Sequence, residues 1–341
     1  MRIIQVGVGK MGRTWSRVLR AAPGVAYVAV VEPAPANREW AMTELGLSES
    51  DCLVSVKDAL ARDDWDAAVV VTPPATHRAV AETLLRGGRH VLLEKPLATT
   101  LEDGEALVRI AEETGRILMV AQNYRYRPQI RAVQAAIRQG AIGAIRSVAI
   151  RFHRDTRTVF GAGDFRYRME EPLIVDMAVH HFDMLRAMTG LDVTDLYGRS
   201  WHVPGGVYEH HPAAAVIMTL TNGATVTYDG NWAGFDTDTS WDGEWDIVGD
   251  TGRIRWRTDG QANVVDLVSL DGTDRPLVAD DDRPTDQAGL LADFVSAVSS
   301  GRQPATSAED NVRSLAIVLG AVESSNTSQL VRLSQPGDSE R

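Results

Sequence analysis

The 341-residue chain has little cysteine and little lysine: one cysteine, Cys52, and three lysines, Lys10, Lys57 and Lys95, beside 32 arginines. A lone cysteine forms no internal disulfide, so nothing calls for an oxidising compartment. Positive charge is in deficit as well: 35 Lys and Arg face 46 Asp and Glu, a formal net charge of −11. An acidic surface of that kind disfavours nucleic acid as a partner. No segment approaches the about 18 unbroken apolar residues of a transmembrane helix. Arg2-Ile3-Ile4-Gln5-Val6-Gly7 reads as a strand that starts at once, without a secretory pattern ahead of it. The expectation is a cytoplasmic protein bound to neither membrane nor nucleic acid. With 44% hydrophobic and 24% charged residues, disorder, collagen and coiled coil are excluded, and the length suits two domains.

Through the first 120 residues short apolar runs alternate with amphipathic helical stretches: Ile3 to Val6, Val28 to Val31, Ala67 to Val71, Val91 to Leu93 and Ile117 to Val120. Unbroken apolar strands indicate a parallel sheet covered on both faces. The helices between them carry start signals at Ser55, at Pro74-Ala75-Thr76 and at Thr99-Thr100. This is the pattern of a doubly wound α/β domain, the Rossmann arrangement. After Pro128 a helix (Ile130 to Arg138) leads into longer runs that read as an antiparallel sheet. Its strands are Ile145 to His153, Val193 to Val203, Ala213 to Leu220, Thr225 to Trp232, Trp245 to Val248 and Arg253 to Arg257. Thr221-Asn222-Gly223-Ala224 joins two of them as a hairpin. Helices Gln287 to Ser299 and Ala308 to Ser324 close the chain. The domains are drawn at 1–122 and 123–341, the C-terminal helices being free to pack back on the first.

Gly7-Val8-Gly9-Lys10-Met11-Gly12 follows the first strand and opens the first helix. Gly7 suits a tight turn, Gly9 close approach of a pyrophosphate, Gly12 close helix packing, with the anion at the helix N-terminus. Glu32 ends the second strand 20 residues after Gly12, where a carboxylate accepts ribose hydroxyls and repels a 2′-phosphate. NAD is therefore the expected cofactor, with NADP left open by Arg38 nearby.

Glu94-Lys95-Pro96 stands at the carboxyl end of the strand Val91–Leu93, where ligands sit in an open parallel sheet. A lysine kept in an arginine-rich chain points to chemistry, because an ammonium can titrate or act as a compact donor. Lys10 and Met11 count with Gly7, Gly9 and Gly12 as cofactor-binding through their place in the glycine loop, whereas the side chain of Lys10, like that of Lys57, reads as an ordinary solvated lysine. Asp176 and His180 are placed at i and i+4 of a helix, so the carboxylate can orient the imidazole. His181 and Asp183 read as structural, Asp183 pairing with His180 or Arg186, and His210-His211 as a solvated loop pair. Cysteine and histidine spacing gives no metal site.

These motifs, with Val71-Thr72-Pro73-Pro74-Ala75-Thr76-His77, Gln122-Asn123-Tyr124-Arg125-Tyr126-Arg127-Pro128, Gly140-Ala141-Ile142-Gly143 and Gly301-Arg302-Gln303-Pro304, resemble in order and spacing the Gfo/Idh/MocA family. The resemblance spans nearly the whole chain. It implies an N-terminal Rossmann domain and a C-terminal α/β domain whose large, mostly antiparallel sheet makes oligomers through its open face, here a homodimer or homotetramer. It implies that Lys95 matches the active-site lysine and that Asp176 and His180 match the acid/base pair. Thr72, Pro73, His77, Glu94 and Asn123 fall around the cofactor. One departure concerns the substrate: where many members carry a glycine-rich run and a glycine between aspartate and histidine, this chain has Glu170-Glu171-Pro172 and Ala178. Two extra carboxylates are expected to reshape the pocket.

The function these residues describe is hydride exchange between nicotinamide and a secondary alcohol of a sugar, cyclitol or polyol. Tyr124, Arg125, Phe165, Arg166 and Trp241 are the candidate substrate contacts, and Trp232, Trp245, Asp236, Asp238, Asp242 and Asp246 share the segment around Trp241. A redox-assisted glycosidase or lyase that recycles NAD in place shares the same residues. A non-catalytic dinucleotide-binding sensor would not need them, and an imine-type reductase would need no alcohol-oxidising base. Residues 1–120 carry a net charge of −2 and residues 121–341 a net of −9. That imbalance favours a neutral sugar or polyol over a sugar phosphate, unless local arginines overturn it.

Overall fold

The computed structural model describes residues 1–234, 238–260, 262–270, 272–278 and 282–334. The chain divides into two compact units, residues 1–126 with 283–315, and residues 127–282 with 316 onward.

The first unit begins β1 (Arg2–Val6), α1 (Lys10–Ala21), β2 (Ala26–Val31), α2 (Pro35–Leu45), β3 (Cys52–Leu53), α3 (Val56–Leu60), β4 (Ala67–Val70), α4 (His77–Arg86), β5 (His90–Leu93), α5 (Leu101–Thr114) and β6 (Leu118–Val120). Its six strands are parallel in the order β3-β2-β1-β4-β5-β6. The strand order reverses between β1 and β4, which opens a crevice at their carboxyl ends. Ala67, Ala68, Val69 and Val70 are all buried, as a strand covered on both faces requires. Ser55 and Thr100 cap α3 and α5 through Asp58 N and Asp103 N. At the third start signal Thr76 instead turns its hydroxyl back to Pro73 O and Thr72. The two-residue β3 was not anticipated, being too short to show a pattern.

The second unit contains α6 (Pro128–Arg138), β7 (Ile145–His153), a π-helical turn (Leu173–Ala178), α7 (Val179–Thr189), β8 (Val193–Trp201), β9 (Ala213–Leu220), β10 (Thr225–Asn231), β11 (Glu244–Gly249), β12 (Gly252–Asp259), β13 (Ala262–Ser269) and β14 (Asp274–Pro276). The chain ends with α8 (Asp286–Ser300), α9 (Ala308–Thr327) and β15 (Val331–Arg332). Among the described residues nine strands form one sheet, β14-β13-β12-β11-β7-β10-β9-β8-β15, in which only β7 and β10 pair in parallel. Burial alternates along β7, β8 and β10, so one face is covered and the other open. Strands β13 to β15 were not anticipated; β14 and β15 are only three and two residues long, too short to show a pattern. The Asn222-Gly223 hairpin forms as expected, with Gly223 at φ +84° and Asn222 Oδ1 accepting from Ala224 N. No helix among the described residues is long and apolar enough to cross a membrane.

A division at 122 differs from the compact units because later segments complete the first core. Leu290, Leu291 and Phe294 of α8 pack with Ile3, Trp15, Leu19, Val69, Leu92 and Met119. Tyr126 donates to Asp293 Oδ2 at 2.7 Å, and Thr306 exchanges hydrogen bonds with Val120 at the β6 edge.

Candidate active site

In the first unit the glycine loop has the geometry its spacing predicts. Gly7 lies at φ +93°, and a Cβ there would stand 2.4 Å from Val71 O. A Cβ on Gly12 would stand 2.5 Å from Gly7 O, so helix and turn touch through hydrogen alone. Around Gly9 a Cβ would meet nothing within 4 Å. Gly9 caps α1 without a side-chain partner, which leaves the helix N-terminus facing outward, and Gly9, Lys10 and Met11 are exposed. An open cleft of about 440 Å³ adjoins them, lined by Gly9, Lys10, Arg13, Thr14, Arg17 and Asn37. These features fit a dinucleotide pyrophosphate.

Sequence reasoning missed the residue that holds this loop. Gln5, fully buried on β1, donates from Nε2 to Gly7 O and Gly12 O, both at 2.8 Å, and its Oε1 accepts from Ser16 and Tyr27. A polar residue set between the apolar Ile4 and Val6 of β1 was the available signal. Burial pushes the Tyr27 hydroxyl well above its ordinary pKa, so it remains a donor. Glu32 accepts from Val8 N at 2.8 Å through Oε2 and from Ala34 N at 3.0 Å through Oε1. A carboxylate has lone pairs beyond these two for ribose hydroxyls. Arg38 is committed to two main-chain carbonyls, Glu32 O and Pro33 O.

Lys95 follows β5, with its peptide to Pro96 in the cis form. Glu94 clamps it: one carboxylate oxygen accepts from Lys95 N at 3.0 Å, the other from Trp15 Nε1 at 2.7 Å. His77 is fully buried, with Nδ1 2.7 Å from Pro96 O and Nε2 2.9 Å from Thr72 O. Burial pushes its pKa down against the two carbonyls, which favour the charged ring. His77 thus braces the loops bearing Thr72 and Pro96 with both ring nitrogens, and Glu94 braces Lys95 through one bond on each carboxylate oxygen. Asn123 is buried and donates to Asp286 Oδ1 at 3.4 Å. Tyr124 is half-buried in the same turn. The Arg125 guanidinium binds Asp310 at 2.6 Å and Ala305 O, which ties it into the first unit.

In the second unit Asp176 and His180 do not lie on one continuous α-helix. Asp176 belongs to the π-helical turn and His180 to the first turn of α7, a local winding that recurs at functional sites. The Asp176 carboxylate takes the Arg166 Nε at 2.5 Å, and Arg166 also reaches Asp164 at 3.2 Å. Burial works to lower the Arg166 pKa, but the two carboxylates outweigh it and raise it. The Arg166 guanidinium lies between the rings of Phe160 and Phe165, 4.6 and 4.5 Å from their centroids.

His181 is structural, as expected: its Nδ1 meets Tyr228 Oη and its Nε2 meets Trp241 O, each at 3.1 Å. Burial lowers its pKa to about 4, so the ring is neutral. Arg186 pairs with Asp192 at 2.7 Å. Trp232 and Trp245 are buried, Trp245 donating to Asp242 O, which leaves Trp241 as the half-buried tryptophan of the three. Asp242 is buried against Arg127, Asp246 lies 3.5 Å from Arg253, and Asp238 accepts from Asp155 N. Asp236 lies outside the described residues. The pair His210-His211 is not simply solvated: His211 Nδ1 is 2.9 Å from the buried Glu171 carboxylate, which also accepts from Ser200. Among the described residues no cluster of His, Cys, Asp and Glu is arranged for a metal ion.

Two family models match the chain. Residues 1–122 match the oxidoreductase family with an NAD-binding Rossmann fold, and residues 130–255 match the GFO/IDH/MocA C-terminal domain. The chain is 28% identical to a 1,5-anhydro-D-fructose reductase of Ensifer adhaerens over 96% of its own length and 97% of that protein's. It is 26% identical to an inositol 2-dehydrogenase of Rhizobium meliloti, over 94% and 95% of the two. An oxidoreductase of Agrobacterium radiobacter, solved in complex with NAD+, L-tartaric acid and magnesium, shares the fold with a TM-score of 0.87 at 24% identity, over 97% of this chain and 98% of that one. The glycine loop, the braced lysine, the two-sheet architecture and these matches lead to one conclusion: the chain belongs to the Gfo/Idh/MocA family of NAD-binding oxidoreductases.

Proposed function

We propose that this protein is an NAD-dependent dehydrogenase or reductase that interconverts a secondary alcohol and a ketone on a sugar, cyclitol or related polyol. Relatives named for anhydrofructose and inositol support that substrate class. The observation that carries the reading is the bracing of Lys95: the chain's one lysine at a sheet-end ligand position has its main chain fixed by Glu94, itself pinned by Trp15. Gly9 to Gly12, Glu32, Thr72 and Pro73 would hold the cofactor. When bound, the nicotinamide supplies the acceptor or donor of the hydride.

His180 takes the hydroxyl proton in the oxidising direction and returns it in the other. The Lys95 ammonium stabilises charge developing on the substrate oxygen by a charge-assisted hydrogen bond. Asp176 assists electrostatically, and its pairing with Arg166 moderates the negative field that it presents to the imidazole. Lys95→Ala and His180→Ala should each abolish turnover in a screen of sugars and polyols with NAD and NADP, while fluorescence titration still shows NAD binding. Near-normal turnover by either variant refutes the assignment. The open face of the nine-stranded sheet bears exposed Tyr197, Trp201 and Ile217, which supports a homodimer or homotetramer. Light scattering at the mass of a single chain would count against that.

A further inference from the structure

We propose that Arg154 is an anion seat, and that the substrate carries a carboxylate: a sugar acid or similar polyhydroxy acid. The proposal takes its location from the dehydrogenase reading above, whereas the contact itself rests on the side chains around Arg154. Arg154 comes directly after β7, its main-chain N–H fixed on Asn231 O at 2.8 Å. Its guanidinium lies 4.7 Å over the Trp241 ring and donates from Nη1 to Thr239 O at 2.7 Å. Stacking and one hydrogen bond therefore hold the group in place, half-buried.

Among the described residues Arg154 lacks an anion. Among the described residues no carboxylate lies within ion-pair distance of it, whereas neighbouring arginines are paired: Arg127 with Asp242, Arg151 with Glu244, Arg157 with Asp155, Arg166 with Asp176. The Asp155 carboxylate is committed to Arg157, and Asp238 accepts from Asp155 N. The Arg154 Nε is buried with no acceptor, and among the described residues no atom takes a hydrogen bond from Nη2. A fixed cation with unspent donors costs free energy that an arriving anion recovers.

A short series of contacts ties this seat to the proposed site. Trp241 lies 6.4 Å from Phe160, Phe160 stacks on Arg166, and Arg166 holds Asp176. On its other side the carbonyl of Trp241 meets His181, the neighbour of His180. The seat thus lies along one aromatic wall from Asp176, on the same unit. A single planar guanidinium matches the two oxygens of a carboxylate. A phosphate dianion would ask for more positive charge than one arginine supplies, in a half of the chain whose net charge is −9.

The test is calorimetric titration of the NAD-loaded protein with D-gluconate and D-glucuronate against their neutral counterparts D-sorbitol and D-glucose, for wild type, Arg154→Gln and Arg154→Lys. Acids should bind about 10- to 100-fold tighter than the neutral compounds, and Arg154→Gln should lose that margin while Arg154→Lys keeps part of it. In turnover the Arg154→Gln loss should fall on KM more than on kcat. Equal binding of acids and neutral sugars by the wild type, or acid binding untouched in Arg154→Gln, overturns the proposal. Should Arg154→Gln fail to fold, the wild-type preference for acids and its decline with added salt decide the matter alone. Acid binding that needs Arg154 without NADH formation on any compound keeps the seat and refutes the dehydrogenase. NADH formed from neutral sugars with no acid binding does the reverse.

Discussion

Protonation of His181 should destabilise the second unit, and the size of the effect follows from its surroundings. The ring is fully buried, packed 4.8 Å from Phe152, and both nitrogens are engaged by Tyr228 Oη and Trp241 O. Burial is the main reason its pKa falls to about 4 from an ordinary 6.5; the Trp241 carbonyl opposes the fall and Arg127 adds to it. Because the folded pKa is depressed, the unfolded chain binds more protons between pH 4 and 6.5, so stability rises with pH across that window and is constant above it. Lowering the pH from 7 to 5 should cost about 2 kcal/mol through this residue alone. Other groups titrate as well, so the measurement is a difference: urea unfolding of wild type and His181→Gln at both pH values, followed by tryptophan fluorescence. The wild type should lose about 2 kcal/mol more than the variant. Parallel losses would show that the ring is charged or solvated in the folded protein, and the structural reading of His181 would fail. The result bears on function because His181 anchors the first turn of α7, from which His180 projects.

Two further outcomes test the site from either unit. Gly12→Ala puts a methyl 2.5 Å from Gly7 O, so thermal melts should show a loss of about 1–3 kcal/mol and little of the stabilisation that NAD gives the wild type; an unchanged NAD effect would remove the close packing from the argument. Arg166→Gln takes the cation from Asp176 and leaves its negative charge to favour a protonated His180, so the acidic limb of the kcat/KM profile should move to higher pH. A limb that stays in place would show that Asp176 and His180 are not coupled.

Much of the first unit was legible in the sequence because its demands are local. Gly7 and Gly12 are specified by contacts within a few residues and by one strand end, Ser55 and Thr100 by caps three residues long, and β1, β4 and β5 by unbroken apolar runs. Gln5 was not legible because its role is read only from what it touches, two glycine carbonyls, Ser16 and Tyr27. Arg125 shows the same limit in reverse: it lies in a family motif, yet its partner Asp310 is 185 positions away in sequence. Pattern identifies the loop that bears a side chain, but the direction of the side chain depends on distant partners.

Residues 170–178 carry that argument furthest. From sequence, Glu170-Glu171-Pro172 promised two extra carboxylates in a pocket that many relatives line with glycine. In the structure Glu171 takes a left-handed φ of +48°, a conformation for which glycine pays nothing and a glutamate must be compensated. The compensation is visible: its carboxylate is buried and accepts from Ser200 at 2.7 Å, with His211 at 2.9 Å. The departure therefore keeps the backbone path that a glycine would take and spends one carboxylate on holding it, leaving Glu170 exposed as the only one of the two with its charge still facing solvent. The π-helical turn that follows then sets Asp176 against Arg166. Two of the acidic groups that made this half of the chain look hostile to an anion are thus already bound by protein, which is why the net charge of −9 and an Arg154 with no carboxylate partner among the described residues can coexist in one unit.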